Sequence, residues 1–438
     1  MAAGGTALSS VTDLQGRLSI RRYFESQTTG EAIFPLLVLT GLYFFDEFDT
    51  SAFNTLAPDI KHAFHISNNT FTGLVILNVT LVVLLAIPVG YMADRVRRVP
   101  IVVVCGVLAG VFSFLTGLAP TVAVLTIFRL GNGIGLVANG TVHNSLLSDY
   151  YTPSVRPRAF AVHTNALYLG AIVAPIVAGL AGKLLGWRPA FFVLFVPIMI
   201  TTILAIRLHE PQRGGTDGPG SEAFGTVEPV KFWEGVRILL AVRTLKFQFA
   251  GAVFLGAGLI PLAVYGPLFL DQAFHVDVFW RGVIGGAQAL ATFLALQKGG
   301  KWTVGWFAQG MGNPVRRAGI FLGGVGIGLG LTAAAPWLWL YIIISVATNG
   351  LVGLLFSPYY STVAFVSPAP VRTLSFSLGS VFLVLGVVLY FGAGLGTISD
   401  AYGIRWAVAT LVPFWIVAGA FLRYSGKFVA EDAAKAFA

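Results

Sequence analysis

The sequence predicts an all-α membrane protein: twelve transmembrane helices in two six-helix pseudo-repeat lobes. Three observations carry this. The 438 residues are 56 % hydrophobic and only 11 % charged, where a soluble chain carries about 25 % charged residues. The apolar residues form continuous runs of roughly 20, the length a helix needs to cross a ~30 Å hydrocarbon core, without the alternation of an outer-membrane barrel. Short sequence patterns also recur in the same order in the two halves.

In chain order the runs place spans near 34–57, 69–92, 100–119, 122–147, 160–182 and 188–208, then 247–270, 281–307, 317–335, 337–362, 373–396 and 404–424. Lys298 and Lys301 interrupt the eighth. They either snorkel from its end or, if it runs to Phe307, enter the membrane and attract an anionic headgroup. The basic residues test the count. One set of connections holds Arg95, Arg97, Arg98, Arg156, Arg158, Arg316, Arg317 and Arg372; the other holds only Lys61, Lys183, Arg188, Arg281 and Arg405. A missed span would collapse that asymmetry, so both termini are expected in the cytoplasm, with the chain in the plasma (inner) membrane.

The +9 net charge is then topology. It is scattered over short loops rather than gathered into a nucleic-acid footprint. Cys105 is the only cysteine and lies in an apolar span, which excludes disulfides and a cysteine-based metal site. His62 and His65 lack a third ligand, and no cofactor or enzymatic constellation stands out. The polar start lacks the pattern of a signal peptide.

The domain reading follows. Residues 1–33 form a cytoplasmic segment, 34–208 and 247–424 the lobes, 209–246 a cytoplasmic linker and 425–438 a tail. The linker opens with a flexible run, Gly214 to Ser221, and continues with Phe232, Trp233, Val236, Leu239 and Leu240 at helical spacing, as an interfacial helix would. Duplication shows in Val155-Arg156-Pro157-Arg158-Ala159-Phe160 against Val371-Arg372-Thr373-Leu374-Ser375-Phe376, and in Gly186-Trp187-Arg188 against Gly403-Ile404-Arg405-Trp406.

Ionisable residues inside spans cost about 2.5–3.5 kcal/mol on insertion scales and mark function by default. The first span holds Asp46, Glu47 and Asp49 within Asp46-Glu47-Phe48-Asp49-Thr50. Asp46, Asp49, Thr50 and Phe53 share one helical face, with Glu47 beside it. The fourth span complements them with Arg129, Asn132, Asn139 and His143 on one arc. An arginine favours the charged carboxylate and burial disfavours it, so an acid between them can load and release a proton. Asp49 is the leading carrier, with Asp46 and Glu47 as rivals. The plainer alternative is a static polar bridge. His143 and His163 either relay protons or simply pack. Gly131, Gly133 and Gly135 lie inside a span with no preceding strand, which points to helix packing rather than a nucleotide loop.

Gly90-Tyr91-Met92-Ala93-Asp94-Arg95-Val96-Arg97-Arg98, with a second copy at Gly305 to Gln309 followed by Arg316 and Arg317, resembles the loop between helices 2 and 3 of the major facilitator superfamily. Arg129 with Gly133 and Gly135 resembles that family's helix 4 motif. Gly170, Pro175 and Gly179 are similar to its helix 5 motif, with Ala174 in place of a glycine. The resemblance implies parallel lobes around a midplane substrate site, and a cytoplasmic gate of Gly90, Asp94, Arg95, Arg98, Asp149 and Arg156. Asp94 would cap helix 11, a role Gln309 cannot repeat. Cargo would lie near Phe53, Asn132, Asn139, His143, His163, Tyr168 and Asn349.

Two branches fit. Leu56-Ala57-Pro58-Asp59-Ile60, His209 to Gly214 and Phe232-Trp233-Glu234 resemble Spinster-type lysophospholipid and sphingoid transporters. Asp46 to Thr50 is similar to a segment of aromatic-acid proton symporters. The expectation is a secondary transporter working by alternating access as a monomer, coupled to protons or sodium, with a small-molecule or lipid substrate. A non-transporting receptor and a passive scramblase are the alternatives.

Overall fold

The computed structural model describes residues 28, 32–93, 95–152, 155–212, 231–368, 371–392 and 394–437. They are overwhelmingly helical. The first half contains α1 (Ile33–Thr55), α2 (Ala57–Phe64), α3 (Asn68–Ala93), α4 (Arg98–Leu118), α5 (Val122–Leu136), α6 (Ala138–Tyr150), α7 (Arg156–Leu185) and α8 (Trp187–Ala205). After α9 (Phe232–Ala241), the second contains α10 (Arg243–Phe274), α11 (Val278–Ala308), α12 (Asn313–Ala334) and α13 (Leu338–Val366). It closes with α14 (Arg372–Gly392), α15 (Leu395–Tyr402), α16 (Ile404–Ala409), α17 (Val412–Ser425) and α18 (Val429–Phe437).

Among the described residues, ten helices are long and apolar enough to cross a bilayer. The two remaining spans have physical reasons to fall short. All three acids of the first span lie in α1 and lower its hydropathy. The fourth span breaks at Val137 into α5 and α6. The eighth span falls where the sequence places it, near 281–307: α11 runs unbroken through Lys298 and Lys301 to Ala308, with both lysines exposed.

Each lobe is packed by the same rule. In the first, α1 lies against α7 and α4 against both α5 and α8; in the second, α10 lies against α14 and α12 against both α13 and α17. The lobes meet along α7 with α11 and along α3 with α14 and α15.

Local details repeat as well. His65 ends α2 in the left-handed conformation at φ 51°, and His275 ends α10 at φ 53°. Gly186 and Gly403 turn the chain at φ +88° and +90°, a region that favours glycine. Each glycine precedes an arginine that satisfies the end of a neighbouring helix. Arg188 donates to the Gly117 and Ala119 carbonyls at 3.1 and 2.7 Å. Arg405 donates to those of Ala333 and Ala335 at 2.8 and 2.7 Å. The short Gly/Arg/Trp repeats in the sequence thus have the same mechanical role in both halves.

The linker's glycine-rich run lies outside the described residues. Its second part is the helix α9, which exposes Phe232, Trp233 and Leu240 and buries Leu239. The C-terminal tail is also helical and is anchored. Asp432, buried in α18, accepts from both the backbone N–H and the hydroxyl of Thr244 at 2.7 Å each, so it caps the start of α10.

Candidate functional site

One helix aims three acids at three surroundings, because successive residues turn by 100°. Asp49 is fully buried. Its Oδ2 accepts from Arg129 Nη1 at 2.7 Å, and its Oδ1 accepts from the Ser113 hydroxyl. α1, α4 and α5 therefore converge on one carboxylate. The Arg129 guanidinium also lies over the Phe53 ring, 4.2 Å from its centroid. Asn132 secures the same region by donating to the Ala109 carbonyl at 3.1 Å.

Asp46 faces a second buried cluster. Its Oδ2 accepts from Asn139 Nδ2 at 2.8 Å, while its Oδ1 has no partner. The rings of His143 and His163 meet edge-on with centroids 5.4 Å apart, and His163 stacks on Tyr43 at 4.7 Å. His143 Nδ1 and both His163 nitrogens are buried without hydrogen-bond partners among the described residues.

Glu47 is the acid that reaches open space. Its Oε1 accepts from Ser51 Oγ at 2.8 Å, and it lines a cavity of about 460 Å³ between the lobes. The cavity's polar lining residues include Asn54, Tyr168, Gln288, Thr292 and Asn349, and its apolar ones Leu259, Leu262, Val352 and Phe356. Tyr168 and Asn349, named from the sequence as cargo neighbours, are thus part of its lining. Phe53, Asn132, Asn139, His143 and His163 are not among its lining residues; all five are buried elsewhere in the first lobe.

The cavity is sealed on the face opposite the termini. Arg281 of α11, itself buried, donates to Asp271 Oδ1 at 2.6 Å and to Asp59 of α2. It thereby joins one lobe to the other. Beside it, Asp400 accepts from the backbone N–H groups of Asn68 and Asn69 at 2.9 and 3.1 Å. This carboxylate of the second lobe sits at the positive end of α3 in the first. Asn68 adds bonds to Ser399 Oγ at 2.8 Å and Gln272 Nε2 at 2.9 Å. From the sequence, Arg281 counts only among the few basic residues of the opposite connections. Its one visible signal was an arginine at the start of an apolar run.

The face bearing the termini is organised differently. Arg98 binds Asp149, Glu210 Oε1 at 3.0 Å and the Pro211 carbonyl at 3.2 Å. Glu210 Oε2 accepts from the Val99 N–H at 2.9 Å. This cluster binds α4, α6 and the segment after α8 within one lobe. Burial alone would raise the Glu210 carboxyl, but the bonds from Val99 and Arg98 outweigh it and hold it below its ordinary range. Arg95 stacks on the Tyr91 ring at 3.3 Å, and Arg156 Nε donates to the Tyr151 carbonyl at 2.9 Å. Gly90 is partly buried with open space around its Cα. Asp94 lies outside the described residues.

Comparison with known proteins agrees with this architecture. The Major Facilitator Superfamily profile matches residues 39–369. A crystal structure of a bacterial homologue of the human lysosomal transporter Spinster, inward-facing and unoccupied, superposes with a TM-score of 0.81 at 20 % identity, covering 91 % of this chain and 97 % of that one. Protein spinster of Drosophila melanogaster is 24 % identical over 242 residues, 54 % of this chain and 38 % of its own length. Multidrug resistance protein 1 of Bacillus subtilis is 26 % identical over 159 residues, 36 % of this chain and 41 % of its own. These curated relatives are thus matched over well under half of their length. The profile covers most of the chain and the fold agrees: the protein is an integral, multi-pass membrane protein and belongs to the Major Facilitator Superfamily of transporters.

Proposed function

We propose that the protein is a proton-coupled secondary transporter that moves an amphipathic small molecule by alternating access. The observation that carries this reading is the buried Asp49–Arg129 pair beside a cavity sealed at one face. An ion pair held inside a lobe is costly to desolvate and is a weak choice for stability alone. It becomes useful if protonation of Asp49 releases Arg129 and changes how α1, α4 and α5 pack. Asp46, buried and with one carboxylate oxygen that no described residue bonds, is a second acceptor on the same helix.

The face opposite the termini is read as the outer one from the basic-residue asymmetry. In this state Arg281, Asp59, Asp271 and Asp400 form the outer latch. In the opposite state Asp94, with Arg95 and Arg98, would close the inner face, and release of Arg98 from its intralobe partners would accompany that change.

A cavity lined by both apolar and polar side chains suits an amphipathic single-chain lipid, such as a lysophospholipid or sphingoid. An organic acid is less well served, because the Arg129 guanidinium already binds Asp49 and Arg281 already binds two carboxylates. The test is ligand-dependent thermal stabilisation of purified protein, since a ligand that binds only the folded state raises its melting temperature. Lysophospholipid should stabilise saturably, beyond any matched detergent. Stabilisation by small aromatic acids alone would overturn the cargo assignment.

A further inference from the structure

We propose that Glu47 is a cation-reading residue, and that the cavity selects amphiphiles whose polar end carries a positive charge. This rests on the transport reading only for the meaning of the site; the binding itself stands apart from it.

The inference begins with the charges of the cavity wall. Apart from tyrosines, the ionisable lining residues are Glu47 and Arg281. Arg281 is spoken for, with one guanidinium nitrogen on Asp271 at 2.6 Å and another on Asp59. Its positive charge is more than balanced by two carboxylates, so it offers no site to an anion. Glu47 is the reverse. No lysine, arginine or histidine pairs with it among the described residues, and its hydrogen-bond donor is the neutral Ser51 hydroxyl. A carboxylate lining the cavity with no cation paired to it among the described residues favours a cationic ligand group and repels an anionic one.

The backbone places Glu47 deliberately close to the neighbouring helix. A Cβ on Gly170 of α7 would stand 3.0 Å from Glu47 Cβ and 2.9 Å from the Phe44 carbonyl. Glycine there lets α7 press against the root of the Glu47 side chain, which lines the cavity. Tyr168 of the same helix also lines the cavity, and an aromatic face adds to the attraction for a cation. Leu259, Leu262 and Phe356 on the opposite lobe supply the surface for an alkyl chain.

Asp49 and Asp46 do not compete for this role. Asp49 is closed off by Arg129 and Ser113, and Asp46 by its burial behind α1. One helix thus separates two tasks: inward acids for the proton, and a cavity-facing acid for the cargo.

The test measures binding to purified protein in lipid nanodiscs, by equilibrium dialysis, of three probes with the same ten-carbon chain. These are radiolabelled decyltrimethylammonium, decanol and decanesulfonate. The expected result is one saturable site for the cation, at least about tenfold tighter than for the other two, a difference of roughly 1.4 kcal/mol. Glu47→Gln keeps an acceptor for Ser51 and should erase the preference. Ser51→Ala keeps the charge and should retain it. Equal affinity for all three probes, tighter binding of the sulfonate, absence of saturable cation binding, or an unchanged preference in Glu47→Gln would each overturn the proposal. Counterflow of decyltrimethylammonium in proteoliposomes separates the two readings. Selective binding without counterflow keeps the site and refutes transport of this probe; counterflow without charge preference keeps transport and refutes the site.

Discussion

Removing one charge of the Asp49–Arg129 pair should harm the fold more than removing both. The pair is buried, with Arg129 Nη1 2.7 Å from Asp49 Oδ2. Asp49→Asn leaves a guanidinium inside the lobe with no counter-charge, and Arg129→Gln leaves the carboxylate with only the Ser113 hydroxyl. Breaking a buried pair from one side costs about 3–5 kcal/mol. In Asp49→Asn/Arg129→Gln both charges are gone and two amides can bond to each other. The single losses should then fail to add, with a coupling energy larger than either single loss, above about 3–5 kcal/mol and within the roughly 1.5–7 kcal/mol range of close charge pairs. A lobe-sized unit of ~150–250 residues loses roughly 2–4 °C per kcal/mol. Each single variant should therefore melt about 6–20 °C below wild type, and the double variant above both. Thermal unfolding of the four proteins in one detergent at pH 7 reads this directly. A double variant that falls by the sum of the single losses would refute the claim that the two charges answer each other.

Three further outcomes follow from other contacts. Asp432→Ala removes the cap that α18 places on α10 and should cost about 1–3 kcal/mol, read as a lower melting temperature that Thr244→Val reproduces only in part. Arg281→Gln unlocks the face opposite the termini; in a Cys105→Ser background, Asn54→Cys should react about tenfold faster with an impermeant maleimide from that side, equal to ~1.4 kcal/mol of conformational bias, and an unchanged rate would remove Arg281 from the latch. Glu210 has a folded-state pKa below its ordinary 4.5, so its contribution is present above that value and lost as pH falls through the folded pKa. Glu210→Gln should flatten the acid limb of a melting-temperature profile below about pH 4.5 and leave its neutral part level.

The sequence carried the fold well, because membrane helices must satisfy their own backbone bonds and so announce themselves as apolar runs. The Asp49–Arg129 pairing was also within reach, since charges inside spans are few and two helices carried them at helical spacing. Cavity membership was not. Asn132, Asn139 and His143 share an arc with Arg129, yet Asn132 and Asn139 turn toward α4 and α1 rather than the opposite lobe. Helical periodicity identifies a common face but not the neighbour it meets. Arg281 and Asp271 lie close in the chain on consecutive helices of the second lobe, but Asp59 comes from the first, and only the seam between the lobes brings it to them. Arg98 likewise bonds within its own lobe here, a partnership that the loop motif alone does not specify.

The most direct test of the central claim compares proton-driven accumulation with exchange in proteoliposomes, using a radiolabelled lysophospholipid. Wild-type protein should accumulate the lipid when a pH gradient is imposed and lose that accumulation when a protonophore collapses it. Asp49→Asn should still exchange labelled for unlabelled lipid, yet accumulate none against its gradient. Accumulation by Asp49→Asn equal to wild type, or wild-type uptake indifferent to the pH gradient, would contradict the account.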